Sequence, residues 1–218
     1  MPDLPMPDWH AREGSGSGPA DLTGFVLAGG KSTRMGLDKA SLEFEGETLL
    51  SRALSTLDTV AREVRIVGSC EKFSRLALVV EDIFPERGPL GGIHAALRSS
   101  NSDLNLMLAV DMPFVSASLL HFLTEKAWAA PRAVVVVPKC DGRCQPLCAI
   151  YRREFADVAE AALMAGRNKI NPLFETVPTH LIDAEELLRA GFSSAMFRNL
   201  NTPEDVAVSS GPVEQRRA

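Results

Sequence analysis

The sequence predicts an α/β protein built on a mostly parallel sheet with helices on both faces. Three observations lead there. The strand candidates are short and apolar nearly throughout, helical patterns separate them, and glycines or carboxylates stand where several of them end. Strands buried on both faces read as continuous apolar runs, and intervening helices supply the crossovers that parallel neighbours require.

The pattern opens with "TGFVLA" (23–28), followed at once by Gly29-Gly30. A helix is expected over 48–60. The strands "VRIVG" (64–68) and "ALVVE" (77–81) come next, then a helix over 90–98. "LNLMLAV" (104–110) ends on Asp111, just before Met112-Pro113. Ser116 reads as the N-cap of a helix over 116–128. "AVVVVP" (133–138) is the last strand of this kind, and beyond it the pattern changes. Asp141-Gly142 is a hairpin signal between "AVVVVPK" and "RCQPLCAIY". A helix over 152–165, short strands and a final helix opened by Thr202-Pro203 suggest a mixed sheet and a lid-like C-terminal portion. There is no internal repeat.

Residues 1–21 carry prolines, a "GSGSG" run and no apolar period, and read as a disordered leader. Residues 209–218 read as a flexible tail, leaving 22–208 as the folded domain. A chain of 218 residues has room for one domain with a full core. Its 45% hydrophobic and 23% charged content is ordinary for a globular protein. The net charge of −5 argues against a nonspecific nucleic-acid partner, which needs a broad basic surface. No secretory segment precedes the first strand and no apolar run spans a bilayer, so the expectation is a cytoplasmic protein without a membrane partner. Cys70, Cys140, Cys144 and Cys148 then read as free thiols. The run "CDGRCQPLC" lacks paired C-x₂-C elements, and its turn separates the first thiol from the other two, which argues against zinc.

In open α/β sheets ligands bind beyond the carboxyl ends of the strands. That rule selects Gly29 onward, Gly68, Asp82 and Asp111. A Walker A loop would need glycine five positions before Gly30, where Phe25 stands, and the dinucleotide pattern G-x-G-x-x-G is absent. What remains is a glycine turn followed by spaced cations. Gly29 and Gly30 would let backbone N–H groups approach a nucleotide. Arg34 offers a planar fork for phosphate oxygens and Lys39 a point charge. An ordinary surface loop with solvated cations has the same composition, so the loop alone leaves both readings open.

The stretch from Leu27 to Lys39 resembles, without a gap, the signature L-A-G-G-x-x-x-R-M-G-x-D-K of nucleotidyltransferases. "VVEDIFPERGPLGGI", "LAVDMPFV", "CQPLCAIY" and "FRNLNTPEDV" follow in order. Together they resemble the molybdenum cofactor guanylyltransferases, the MobA family, over about 23–208. The resemblance implies a Rossmann-like three-layer nucleotidyltransferase fold. It also implies GMP transfer from GTP to the terminal phosphate of molybdopterin or its molybdenum form, with pyrophosphate released and Mg²⁺ as cofactor. Carried over residue by residue, Leu27, Ala28, Gly29, Lys39, Asp82 and Asp111 would contact the nucleotide. Arg34, Lys39 and Asp111 would be catalytic, with Asp111 the Mg²⁺ ligand.

Gly88, Pro89, Leu90, Gln145, Asn199 and Asn201 would line the substrate site, with Arg167 and Lys169 near the second substrate's phosphate. A strand-end carboxylate suits Mg²⁺, which bridges to phosphate oxygens, and that reading is favoured over a helix cap for Asp111 and over a cap or turn for Asp82; the asparagines could as well be turn residues. One departure concerns the base. Members of the family often carry asparagine after the second strand, where this chain reads Val67-Gly68-Ser69. A cytidylyltransferase for the same cofactor and a noncatalytic nucleotide-binding protein are therefore the alternatives. A monomer or weak homo-oligomer is expected.

Overall fold

Alternation along the first strand sets up the layers, because successive side chains of a strand point to opposite faces. In the computed structural model, which describes residues 22–29, 39–202 and 205, β1 (Leu22–Leu27) is buried from Leu22 to Val26. Leu22 and Val26 enter one hydrophobic cluster and Phe25 enters the other. The first cluster is closed by α1 (Leu49–Asp58) and, later in the chain, the helix Ala117–Ala129. The second is closed by the helices Pro89–Ser99 and Phe155–Met164. The result is three layers: helices, sheet, helices.

A small antiparallel hairpin, β2 (Glu43–Phe44) with β3 (Glu47–Thr48), precedes α1. Next come β4 (Glu63–Val67), α2 (Cys70–Phe73), β5 (Leu78–Val80), α3 (Pro89–Ser99), β6 (Leu104–Ala109) and α4 (Ala117–Ala129). β7 (Val135–Cys140), β8 (Arg143–Cys144), β9 (Cys148–Arg152), α5 (Phe155–Met164), β10 (Thr179–Ile182) and α6 (Ala184–Arg189) complete the described elements. The main sheet has the order β10-β7-β9-β6-β1-β4-β5, with β8 paired to β7. Within that order β9 alone runs against its neighbours.

The local expectations hold where the chemistry is specific. The Ser116 hydroxyl accepts the Leu119 N–H at 3.3 Å and caps α4. Asp141 and Gly142 both adopt positive φ, 51° and 75°, as a tight hairpin turn requires. The lid-like C-terminal portion is corrected. β10 pairs with β7 in parallel, with Leu181 opposite Val137, so this part of the chain extends the sheet. The edge of β7 carries backbone groups that need partners, and β10 satisfies them. The leader, the tail, most of the final helix, and the loop carrying Gly30 and Arg34 lie outside the described residues. Among the described residues, no helix is long and apolar enough to cross a membrane.

Candidate active site

From β1 the chain moves outward to β4 and β5, then returns through α3 to β6 on the other side of β1. Connections therefore diverge between β1 and β6, which opens a crevice at their carboxyl ends. The two strands are in register there. Leu27 pairs with Ala109, and the Val110 N–H donates to the Leu27 carbonyl at 3.2 Å. The next residue is Asp111.

Lys39 opens a 3₁₀ turn (Lys39–Ser41) anchored by buried Ala40. Its Nζ donates to Asp111 Oδ2 at 2.9 Å and to Asn201 Oδ1 at 2.7 Å. The Asp111 carbonyl in turn accepts the Leu200 N–H at 2.8 Å. Three distant segments thus meet at one ammonium group. Phe114 packs them together: Phe44 meets its ring edge-on at 5.4 Å between centroids, and the Arg198 guanidinium lies 4.4 Å over it. The Lys39 and Asp111 side chains are only 24% and 14% exposed, so their charges meet in a poorly solvated spot.

The other sequence-predicted residues are arranged along the same edge. The Leu27 carbonyl and the Ala28 N–H are tied into the sheet, the latter to the Val67 carbonyl at 3.0 Å, whereas Gly29 is exposed. Asp82 follows β5 and turns toward the first turn of α3. Its Oδ1 accepts the Phe84 N–H at 2.9 Å, and its oxygens lie 2.7 and 2.8 Å from where a Cβ on Gly91 would be. Glycine at position 91 permits that approach. Burial pushes the Asp82 carboxyl up, opposed by the Phe84 N–H and by His94. Gly88 stands before α3 at φ 69°, with Pro89 and Leu90 opening the helix.

Gln145 lies just before β9. Because β9 is antiparallel, this loop sits at the carboxyl edge, where the Leu147 carbonyl accepts the Ala109 N–H at 2.8 Å. Asn199 is exposed. α5 packs antiparallel to α3, with Arg98 2.7 Å from Asp157 and His94 3.5 Å from Glu160. Arg167 and Lys169, exposed beyond the end of α5, therefore lie toward the same edge.

Gly29 just past β1, with a lysine further on that reaches the carboxylate ending the adjacent strand, is the geometry to compare with known proteins. Residues 24–180 match the model of the MobA-like NTP transferase domain. The chain belongs to the MobA-like NTP transferase family. It is 35% identical over 197 residues to the probable molybdenum cofactor guanylyltransferase of Pelotomaculum thermopropionicum, covering 89% of this chain and 95% of that one. Identity to the probable molybdenum cofactor guanylyltransferase of Carboxydothermus hydrogenoformans is 33% over 186 residues, covering 85% and 93%. The crystal structure of molybdopterin-guanine dinucleotide biosynthesis protein A from Archaeoglobus fulgidus superposes with a TM-score of 0.72 at 28% identity, covering 85% of this chain and 95% of that one.

Beyond the residues that match the MobA-like domain, one polar residue beside the site is missing from the sequence reading. Asp205 Oδ2 accepts the N–H groups of Asn201 at 2.9 Å and Thr202 at 3.0 Å, while the Thr202 hydroxyl accepts the Asp205 N–H at 3.1 Å. The two backbone donors, Asn201 first, hold the Asp205 carboxyl below its ordinary value. The Thr-x-x-Asp spacing of a capping box was the available signal.

Cys140, Cys144 and Cys148 behave as packing residues. Burial, reinforced by neighbouring Cys140, pushes the Cys148 thiol up to about 12. Burial also raises Cys140 and Cys144. Thiols in that condition are poor nucleophiles and metal ligands. At neutral pH, iodoacetamide is expected to alkylate exposed Cys70 first, as peptide mass mapping would read. Fast labelling of Cys148 would contradict its burial.

Proposed function

We propose that this MobA-like protein transfers GMP from GTP to the terminal phosphate of molybdopterin or its molybdenum form. An oxygen of the acceptor phosphate attacks the α-phosphorus of GTP, the bond between the α-phosphorus and the bridging oxygen breaks, and pyrophosphate leaves. The observation that carries the reading is the Lys39 ammonium, held between Asp111 and Asn201 at the β1–β6 crevice. Both reactants are anionic, so the protein's task is to align them and neutralise charge. An ammonium already oriented by two acceptors needs little rearrangement when phosphate arrives. Arg34 is assigned to the triphosphate, and Asp82 and the Gly88–Leu90 turn to the nucleoside side. Gln145, Asn199, Arg167 and Lys169 are assigned to the acceptor.

Asp111 is the residue that would hold Mg²⁺. Among the described residues no group of three or more His, Cys, Asp or Glu side chains could cage a metal. A single carboxylate still suits Mg²⁺, which keeps several waters and takes its remaining ligands from substrate phosphates. When bound, Mg²⁺ would draw charge from the phosphate oxygens. The reaction is assigned to the cytoplasm, with the protein a monomer or weak homo-oligomer.

Incubation with Mg²⁺, molybdopterin and each nucleoside triphosphate is expected to yield a guanine dinucleotide and pyrophosphate from GTP, read by mass. GTP is expected to bind more tightly than CTP in calorimetry. The base arm of this test matters because Ser69, not asparagine, follows Gly68 after β4. Preferred turnover of CTP would assign the protein to cytidylyl transfer. Binding without pyrophosphate release would make it a nucleotide-binding protein only.

A further inference from the structure

The Asn201 side chain reaches Lys39 from a stretch of backbone fixed on both sides. Upstream, Leu200 is buried and its N–H is bonded to the Asp111 carbonyl. Downstream, a single oxygen of Asp205 gathers the consecutive N–H groups of Asn201 and Thr202, and the Thr202 hydroxyl returns a bond to the Asp205 backbone. With both neighbours held, the Asn201 amide has little freedom to turn from the ammonium 2.7 Å away.

The count of donors gives that contact a purpose. A lysine ammonium has three N–H donors. Asp111 Oδ2 and Asn201 Oδ1 take one each, which leaves one for a third acceptor. Without the amide, Asp111 is the remaining partner of Lys39 among the described residues, and the ammonium can swing about that carboxylate. We infer that Asp205 is a positioning residue for nucleotidyl transfer: by clamping the Asn201–Thr202 backbone it sets the amide oxygen that aims Lys39 at the incoming phosphate. The inference rests on the phosphate role proposed for Lys39. Asp205 itself touches no substrate; it acts through Asn201.

The test is a double-mutant cycle on kcat and KM for GTP, with Asp205→Ala, Asn201→Ala and the double variant, alongside Lys39→Ala. Asp205→Ala is expected to lower kcat/KM about ten- to a hundredfold, the scale of a small misplacement of a reacting group. Asp205→Asn keeps an oxygen that can accept both N–H groups, and should stay within a few-fold of wild type. In the Asn201→Ala background, Asp205→Ala should add less than about twofold, because residues acting through one contact are not additive. A merely structural cap would lower the melting temperature and would not show this coupling.

Full activity of Asp205→Ala would overturn the inference, as would an undiminished further loss in the Asn201→Ala background or failure of Asp205→Asn to restore activity. If Asp205→Ala does not fold, Asp205→Ser, whose shorter side chain does not span back to both N–H groups, enters the same cycle with the same expectation. Wild-type activity in Lys39→Ala would refute the phosphate role and the inference built on it. An inactive Lys39→Ala beside a fully active Asp205→Ala would refute the inference alone.

Discussion

Lys39→Ala is expected to lower turnover by about 10² to 10³, the cost of losing one preorganised electrostatic contact, with the fold intact by circular dichroism. The physical reason is the poorly solvated pairing of Lys39 with Asp111 at 2.9 Å. Two unit charges about 4 Å apart interact by roughly 4 kcal/mol at an effective dielectric near 20, and a phosphate entering the crevice experiences the same field. Asp111→Asn keeps the side-chain shape and is expected to cost a similar factor, for a different reason. On the proposed Mg²⁺ assignment it weakens a metal ligand, which is a mass-action defect, so raising Mg²⁺ should restore part of its rate. Lys39→Ala lacks a cation that Mg²⁺ does not replace at that position, and should not respond. Initial rates across a Mg²⁺ titration separate the two. Wild-type turnover by Asp111→Asn at low Mg²⁺ would return Asp111 to a purely structural role.

Tyr151→Ala is expected to be the most destabilising single change around β9, at about 3 to 5 kcal/mol. That approaches the whole stability of a small domain, about 5 to 15 kcal/mol. The ring is fully buried, with Phe155 at 5.0 Å and Phe174 at 6.4 Å, and its hydroxyl donates to the Pro146 carbonyl at 2.8 Å. Tyr151→Phe isolates the hydroxyl and should cost about 1 to 3 kcal/mol, because the carbonyl loses its donor. Urea midpoints with an unchanged m-value would read both.

The same residue makes stability fall in alkali. Burial holds the phenol well above its ordinary value. Above about pH 10 the unfolded chain releases the tyrosine proton while the folded chain keeps it, so the unfolded state binds fewer protons. Stability should then drop by about 1.4 kcal/mol per pH unit. Cys148, pushed up to about 12, contributes with the same sign from lower pH. Tyr151→Phe should remove the tyrosine share of that slope. The chain has one tyrosine, so tyrosinate absorbance reports on this side chain alone. Ionisation of Tyr151 in the folded protein near its ordinary value would contradict the burial.

The long strands were legible because a sheet covered on both faces forces apolar runs, and β1, β6 and β7 are such runs. Ser116 and Asp141-Gly142 were legible because a cap and a primed turn have local chemistry. The β2–β3 hairpin and α2 were not, since two-residue strands and a four-residue helix are too short to show a period. The destination of the C-terminal portion was misread because the pairing of β10 with β7 depends on a free edge that no local pattern announces. At the site, strand-end reasoning reached Asp82 and Asp111 unaided. The meeting of Lys39 with Asp111, 72 positions away, and with Asn201, 162 positions away, cannot be read from spacing. Only the ordered resemblance hinted at it.

The reversed direction of β9 has a consequence for how this enzyme class can diversify. β1, β4, β5 and β6 form a contiguous parallel block, whereas the stretch around Gln145 arrives through a separate hairpin whose turn is exposed at Asp141 and Gly142. Lengthening or shortening that hairpin would recut one wall of the crevice without disturbing a strand of the parallel block. On the proposed assignment of Gln145 to the acceptor, part of the acceptor preference would be encoded in a piece of chain separable from the nucleotide-binding block. Exchanging the stretch between β7 and β9 among relatives is a rational route to new acceptors for an unchanged nucleotide donor.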